Sequence, residues 1–186
     1  MKTVIGIAGG TASGKSTFTD MLCAELGENI TAVIHMDSFF KPESERPHVA
    51  SHTNSQIYVD DNCPETIDWQ GFHRAVDYAL ESDKDVVIIE GLLVLWDEYT
   101  KNKLDIKIFV DCPSDERLTR RIKRNAQWGQ SFEKVTDVYL NMVRFRHEQY
   151  VEPTKWIADI IVNGSGDNKL TVTKMLSNDI KLKLGA

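Results

Sequence analysis

The chain has 186 residues, 41% hydrophobic and 27% charged, the balance of an ordinary globular domain long enough to bury one sizeable core. A net charge of −6 argues against a sequence-independent grip on nucleic acid or on an anionic membrane. Three scattered cysteines, Cys23, Cys63 and Cys112, form no CxxC pair, which argues against a disulfide framework or a cysteine zinc site and for a reducing compartment.

The opening "MKTVIGIAGG" has an apolar run too short for a signal sequence, and its glycines break it. With no run as long as a membrane span, the expectation is one cytoplasmic domain over 1–186. "TVIGIA" (3–8) reads as a first buried strand. A glycine-rich turn follows, then a helix with Phe18, Met21, Leu22 and Leu26 at helical spacing and Gly27 as its stop. "ITAVIH" (30–35) is a second strand, rich in β-branched residues. Residues 38–63 follow neither period, and a connection this long inside a compact domain is usually functional or disordered. A helix over about 65–81 leads to a third strand, "DVVIIE" (85–90), and "DIKIFV" (105–110) is a fourth. Helices over 114–127 and 131–149, a fifth strand "IADIIV" (157–162) and a helix over 168–182 complete the chain. In that last helix Val172, Met175, Leu176 and Ile180 keep the period. Strands alternating with helices predict an α/β fold with a parallel sheet.

"GGTASGKS" (9–16) satisfies G-x-x-x-x-G-K-[ST] between a strand and a helix. Such a loop curls its backbone so that N–H groups point at phosphate oxygens, at the positive end of the next helix. Gly9, Gly10, Thr11, Ala12, Ser13, Gly14, Lys15, Ser16 and Thr17 are therefore the residues expected to bind a nucleoside triphosphate. Lys15 bridges the β- and γ-phosphates, and the Ser16 hydroxyl holds Mg²⁺.

Ligands of a doubly wound sheet sit beyond the carboxyl ends of its strands. Glu90 ends the third strand and Asp37 lies just past the second, so strands placed beside the first would bring both to the phosphates. Glu90 is suited to the metal and Asp37 to taking the acceptor's proton. Arg117, Arg121 and Arg124 share a helix face with Arg120 alongside, either a solvated basic face or a lid closing on the transferring phosphoryl group.

Phe39, Phe40 and Tyr58 fit a loop anchor or a stacking platform for a substrate ring equally well. Trp69 and Trp156 read as packing residues. "NGSGDN" (163–168) lies against adenine or is a plain turn, and His48 and His52, in a loop without a third ligand, are not expected to hold a metal.

Taken together, "IGIAGGTASGKST", "DSFFKP", "IIEG", "RLTRRIKR" and "HEQYVEPTKWIADIIV" resemble the uridine kinase family within the phosphoribulokinase/uridine kinase group, nearly end to end. The resemblance implies a P-loop NTPase fold whose five-stranded parallel sheet has the order 2-3-1-4-5. It also implies a helical lid over about 117–130 and an acceptor-side loop over about 37–64. By it Asp37 maps to the catalytic base, Glu90 to the magnesium-side carboxylate, and Arg121 and Arg124 to lid arginines that act with Lys15. Asp60 or Asp61, in "VDDNCPE", falls at the ribose-binding segment. The chain departs from the family there, with Asn62 aligned where the aspartate is expected, and in two further places. It lacks the Tyr-Asp-Phe…His segment that reads the pyrimidine, and "WGQ" (128–130) stands where the lid has E-R-G-R. "FFKPESE" (39–45) is close to the related nicotinamide riboside kinases.

The expected activity is an ATP- and Mg²⁺-dependent kinase acting on the 5′-hydroxyl of a nucleoside or related ribosyl compound. The alternatives are a kinase for nicotinamide riboside or another small alcohol, and a non-catalytic nucleotide-binding regulator. A homo-oligomer is compatible with the sequence.

Overall fold

The computed structural model describes residues 2–51, 53–166 and 168–185. Among them run strands β1 (Thr3–Ala8), β2 (Thr31–His35), β3 (His48–Ala50), β4 (Ile57–Val59), β5 (Val86–Glu90), β6 (Ile106–Asp111) and β7 (Ile160–Asn163). Five of these pair in parallel in the order β2-β5-β1-β6-β7, which is the expected 2-3-1-4-5 once the separate β3–β4 hairpin is set aside.

The central strands are apolar throughout because helices cover both faces. Alternate residues of each strand serve opposite cores. Val4, Val87, Ile89 and Phe109 pack with Phe72 and Val76 of helix α2 (Trp69–Glu81). Ile5, Ile7, Val86, Ile88 and Val110 face the other way. There they meet Phe18 and Leu22 of α1 (Lys15–Leu26), and Leu176 and Ile180 of a C-terminal helix (Asn168–Leu184). Each such side chain contributes about 1.5–3 kcal/mol by leaving water.

Several expected boundaries move for local reasons. α2 starts at Trp69 rather than 65 because the Asp68 carboxylate accepts from the Gly71 N–H (3.0 Å) and caps it, with only a 3₁₀ turn at Pro64–Thr66 before. Residues 38–63 hold the β3–β4 hairpin and two 3₁₀ turns (Met36–Phe39 and Glu43–Glu45), pieces too short to show a period. A short helix α3 (Glu98–Lys101), capped by Asp97, was not legible either. α4 (Ser114–Gln127) falls where expected. The following helix runs on as α5 (Phe132–Val138), a π-helical turn (Tyr139–Val143), α6 (Arg144–Arg146) and a second π turn (His147–Val151). The C-terminal helix is α7.

Two packing expectations are corrected. Trp156 is 82% exposed, because the 3₁₀ segment Glu152–Ile157 turns it outward, whereas Trp69 does pack, against Phe72 and Trp96. Met175 of α7 is likewise exposed, and Thr173 and Ser177 complete the buried face with Leu176 and Ile180.

A third small core fixes the acceptor-side loop. Tyr58 packs with Tyr139, Met142 and Val143, so the hairpin sits on the π-helical turn. At its other end the loop is tied to the main core through Phe40, bridged to Ile67, and through the Phe39 carbonyl, which accepts from the Asp68 N–H (2.8 Å).

Candidate active site

The loop after β1 curls through three residues of positive φ: Gly9 (152°), Ala12 (60°) and Gly14 (98°). At Gly14 this favours glycine, while Ala12 holds a conformation that costs about 1 kcal/mol or more. Gly10 is needed for a different reason. A Cβ there would lie 2.7 Å from Arg117 Nη1 and 2.9 Å from His147 Cε1. Gly14 caps α1 without a side-chain bond and no acid sits in the first turn, so the helix's first N–H groups and its positive end are left for an anion. The Ser13 hydroxyl is buried with no partner among the described residues, an orphan that a phosphate oxygen would satisfy.

Lys15 is buried, with Nζ 3.3 Å from Glu90 Oε1, and Ser16 Oγ donates to the same oxygen at 3.2 Å. Glu90 is therefore held against the loop, as its place on the strand beside β1 requires. His35, unforeseen from sequence, completes the arrangement. β2 pairs with β5 so that His35 stands opposite Glu90, and its Nδ1–H donates to Glu90 Oε2 at 2.8 Å. Only the strand register could have revealed it. Two hard oxygens 3.2 Å apart suit Mg²⁺, whose adjacent octahedral ligands at 2.0–2.1 Å are about 3 Å from each other. The loop, with its inward N–H groups, orphaned hydroxyl and lysine, likewise fits a triphosphate.

A cavity of about 310 Å³ opens beside Lys15 and brings Thr11, Asp37, Phe40, Asp61, Arg121 and Arg124 together. Asn62, Leu92, Asn125, Trp128 and Gln130 also line it. Asp37 is exposed to this space from the 3₁₀ turn after β2. β2 is one strand away from β1, so Asp37 reaches the site across β5 rather than from a strand touching the loop.

Arg121 Nη1 and Arg124 Nη2 donate to Thr11 Oγ1 at 3.1 and 3.4 Å, placing the lid over the loop. Burial, and then Arg124, push the Arg121 guanidinium below its ordinary value, and burial does the same at Arg124. Two guanidinium groups crowded this way hold a positive potential that a bound anion relieves. A second cavity, about 400 Å³, lies on the loop's outer side against Gly14, Ser16, Thr17, Arg120 and Lys169. Lys15 and Arg124 line both.

Other expected site residues separate. Phe39 turns into the core against Phe72 (5.5 Å, edge-on), whereas Phe40 faces the cavity with the Arg46 guanidinium 5.3 Å from its ring. Asp61 lines the cavity and pairs with Arg46 (2.9 Å). Asp60 does not reach it: fully buried, it binds Arg146 Nε at 2.6 Å and accepts from the Asn62 N–H. Tyr58 lines an adjoining cavity, its hydroxyl donating to Asp137 Oδ2 at 2.8 Å.

Arg117 also leaves the arginine face. It is 5% exposed, donates to the Cys112 carbonyl and supports Gly10 from below, together with His147. Burial, and then Arg117, push the His147 imidazole down to about 4. The half-exposed Glu152 carboxylate, 3.0 Å from Nε2, pulls the other way, but the buried ring beside a guanidinium stays neutral and its Nε2–H donates to Glu152. The turn after β7 meets the loop as well, its Gly164 carbonyl accepting from Arg120 (3.0 Å) and Lys169 (2.9 Å). Asp167 of that turn and His52 lie outside the described residues. Among the described residues no helix is long and apolar enough to cross a membrane.

Comparison with known proteins gives the family and the fold. A model of the phosphoribulokinase / uridine kinase family matches residues 69–171. The chain is 35% identical over 200 residues to a uridine kinase of Clostridium perfringens, covering 97% of this chain and 96% of the relative. It is 34% identical over 194 residues to one of Clostridium botulinum, covering 94% of each. Among solved structures, a possible fructose transport system kinase from Silicibacter sp. TM1040 superposes with a TM-score of 0.65 at 18% identity, covering 86% of this chain and 89% of that one. A possible uridine kinase from Bacillus stearothermophilus gives 0.57 at 19%, covering 87% and 89%. At these identities the two structures speak for the fold.

Proposed function

The chain belongs to the phosphoribulokinase/uridine kinase family, and from that premise we propose that it transfers the γ-phosphoryl group of ATP to the 5′-hydroxyl of a nucleoside or closely related riboside. The observation that carries the reading is the pair of cavities meeting at Lys15 and Arg124. Donor nucleotide on the outer side and acceptor on the inner side put the transferring group between two cations. The names of the relatives favour a nucleoside as acceptor.

In this reading the loop N–H groups, the Ser13 hydroxyl and Lys15 bind the donor's phosphates. Ser16 and Glu90 hold Mg²⁺, which when bound neutralises phosphate charge. His35 orients Glu90 from behind. Asp37 accepts the proton of the attacking hydroxyl, worth about 10²–10⁴ in rate. Arg121 and Arg124, already over the loop, stabilise the charge that spreads onto the transferring oxygens. Asp61 and Asn62 bind the ribose hydroxyls, and Phe40 packs against the sugar side of the acceptor.

A second reading, a kinase for a smaller non-nucleoside alcohol, is favoured by the direct passage from α2, ending at Glu81, to β5, starting at Val86. That leaves no room for an added base-reading segment. The test is ADP release over uridine, cytidine, inosine, adenosine, nicotinamide riboside and free ribose, with the product's phosphate located by ³¹P NMR. Turnover of at least one riboside at its 5′-oxygen is expected. Turnover of none refutes the ribosyl reading.

A further inference from the structure

Beyond Asp61 the inner cavity continues into the adjoining one of about 400 Å³, which lies between the β3–β4 hairpin and the lid. The two share Asp61, Arg121, Asn125 and Gln130. An acceptor with its hydroxyl at Asp37 and its ribose at Asp61 has this second space for whatever follows the sugar. One wall is apolar, from Ile57, Val59, Val135 and Val138, and suits the face of a flat ring.

The lid wall has a hydrogen-bonding polarity that one network fixes. Arg124 Nε can only donate, and it donates to Asn125 Oδ1 at 3.1 Å. The Asn125 amide is thereby oriented, with its Nδ2 donating to Gln130 Oε1 at 2.9 Å. Asn125 is 4% exposed, so this arrangement has no solvent-exposed alternative. With its oxygen engaged, Gln130 presents the two N–H bonds of Nε2, for which no described residue serves as acceptor. Glu43, in the 3₁₀ turn Glu43–Glu45, lines the cavity too.

We propose that this cavity receives the acceptor's ring and that Gln130, oriented through Asn125 and Arg124, selects rings presenting a carbonyl oxygen to the lid over rings presenting an amino group there. The inference rests on the ribosyl reading above. A ring carbonyl accepts from Nε2, whereas an amino group leaves donor facing donor and loses that bond, Gln130 itself being exposed at the cavity's edge. The same wiring links the choice of ring to the lid, because Arg124 also bonds Thr11.

The test measures kcat/KM for two matched pairs, uridine against cytidine and inosine against adenosine, with wild type, Gln130→Met and Gln130→Glu. Thermal melting of the variants confirms that they are folded. Wild type should favour the oxo member of at least one pair. Gln130→Met should shrink that preference about 5- to 10-fold, the worth of one neutral hydrogen bond, and Gln130→Glu should move it toward the amino member. Equal ratios in all three proteins, or a wild type that favours the oxo member of neither pair, overturn the inference while leaving the ribosyl reading intact. Turnover of no riboside by wild type overturns that reading, and the inference with it.

Discussion

Asp60→Asn separates the two neighbouring aspartates most sharply. Asp60 has no exposed surface, and its carboxylate lies 2.6 Å from Arg146 Nε, whose side chain is itself only 18% exposed. Removing one member of a buried pair costs about 3–5 kcal/mol, because the other charge stays desolvated and unmatched. Asparagine keeps a neutral oxygen for Arg146 and for the Asn62 N–H, which places the loss near the lower end, about 3 kcal/mol. For a domain of this size, with an m-value of about 2–3 kcal/mol/M in urea, the unfolding midpoint should fall by roughly 1–1.5 M. Asp61→Asn breaks a pair whose carboxylate is 49% exposed and should cost under about 1 kcal/mol. Its effect should appear instead in the acceptor KM, raised about tenfold or more. Urea unfolding and initial-rate kinetics on both variants decide the matter. An Asp60→Asn protein as stable as wild type but with a strongly raised acceptor KM would refute the assignment of the two roles.

Two further outcomes follow from the site. His147 is neutral in the fold, pushed down to about 4 from an ordinary value near 6.5, so between those pH values the unfolded chain binds the extra proton. Its contribution is therefore fully present above about pH 6.5 and is lost as pH falls toward 4, a span of roughly 3 kcal/mol. Comparing wild type with His147→Leu by urea unfolding at pH 7.5 and 4.5, the variant should lose less stability on acidification. Equal losses would contradict the buried neutral imidazole. Lys15→Ala should abolish the rise in melting temperature that saturating ATP gives the wild-type protein, and an undiminished rise would contradict the phosphate role of the loop.

Most of the sheet was legible because its strands are continuous Val/Ile runs between helical periods, and the phosphate loop because its glycines, lysine and serine have fixed spacing. Asp37, Arg121 and Arg124 line one cavity beside Lys15 and Glu90 lies against Lys15, although β2 is separated from β1 by β5 rather than flanking it. What escaped depends on register and on side-chain direction. His35 joins the site only because β2 lies beside β5, a neighbour 55 residues away in sequence. Adjacent residues were read as equivalents, yet Phe39 and Phe40, and Asp60 and Asp61, turn to opposite environments in turns without a period. Arg117 shares its helix face with Arg121, but one turn closer to the sheet it is buried beneath Gly10. Three-residue strands left no signal for the hairpin, so the cavity between hairpin and lid could not be seen from sequence, and "WGQ" showed only as a departure from the lid pattern.

The central claim is that Asp37 acts on the acceptor in a site where donor phosphates are bound by other residues. The most direct measurement sets ATP affinity, by titration calorimetry, beside single-turnover phosphoryl transfer for Asp37→Asn, using whichever riboside the wild-type protein phosphorylates. The account predicts an ATP Kd within about threefold of wild type and a transfer rate lower by about 10²–10⁴. A transfer rate close to wild type, or a loss of rate matched by an equal loss of ATP affinity, would contradict it.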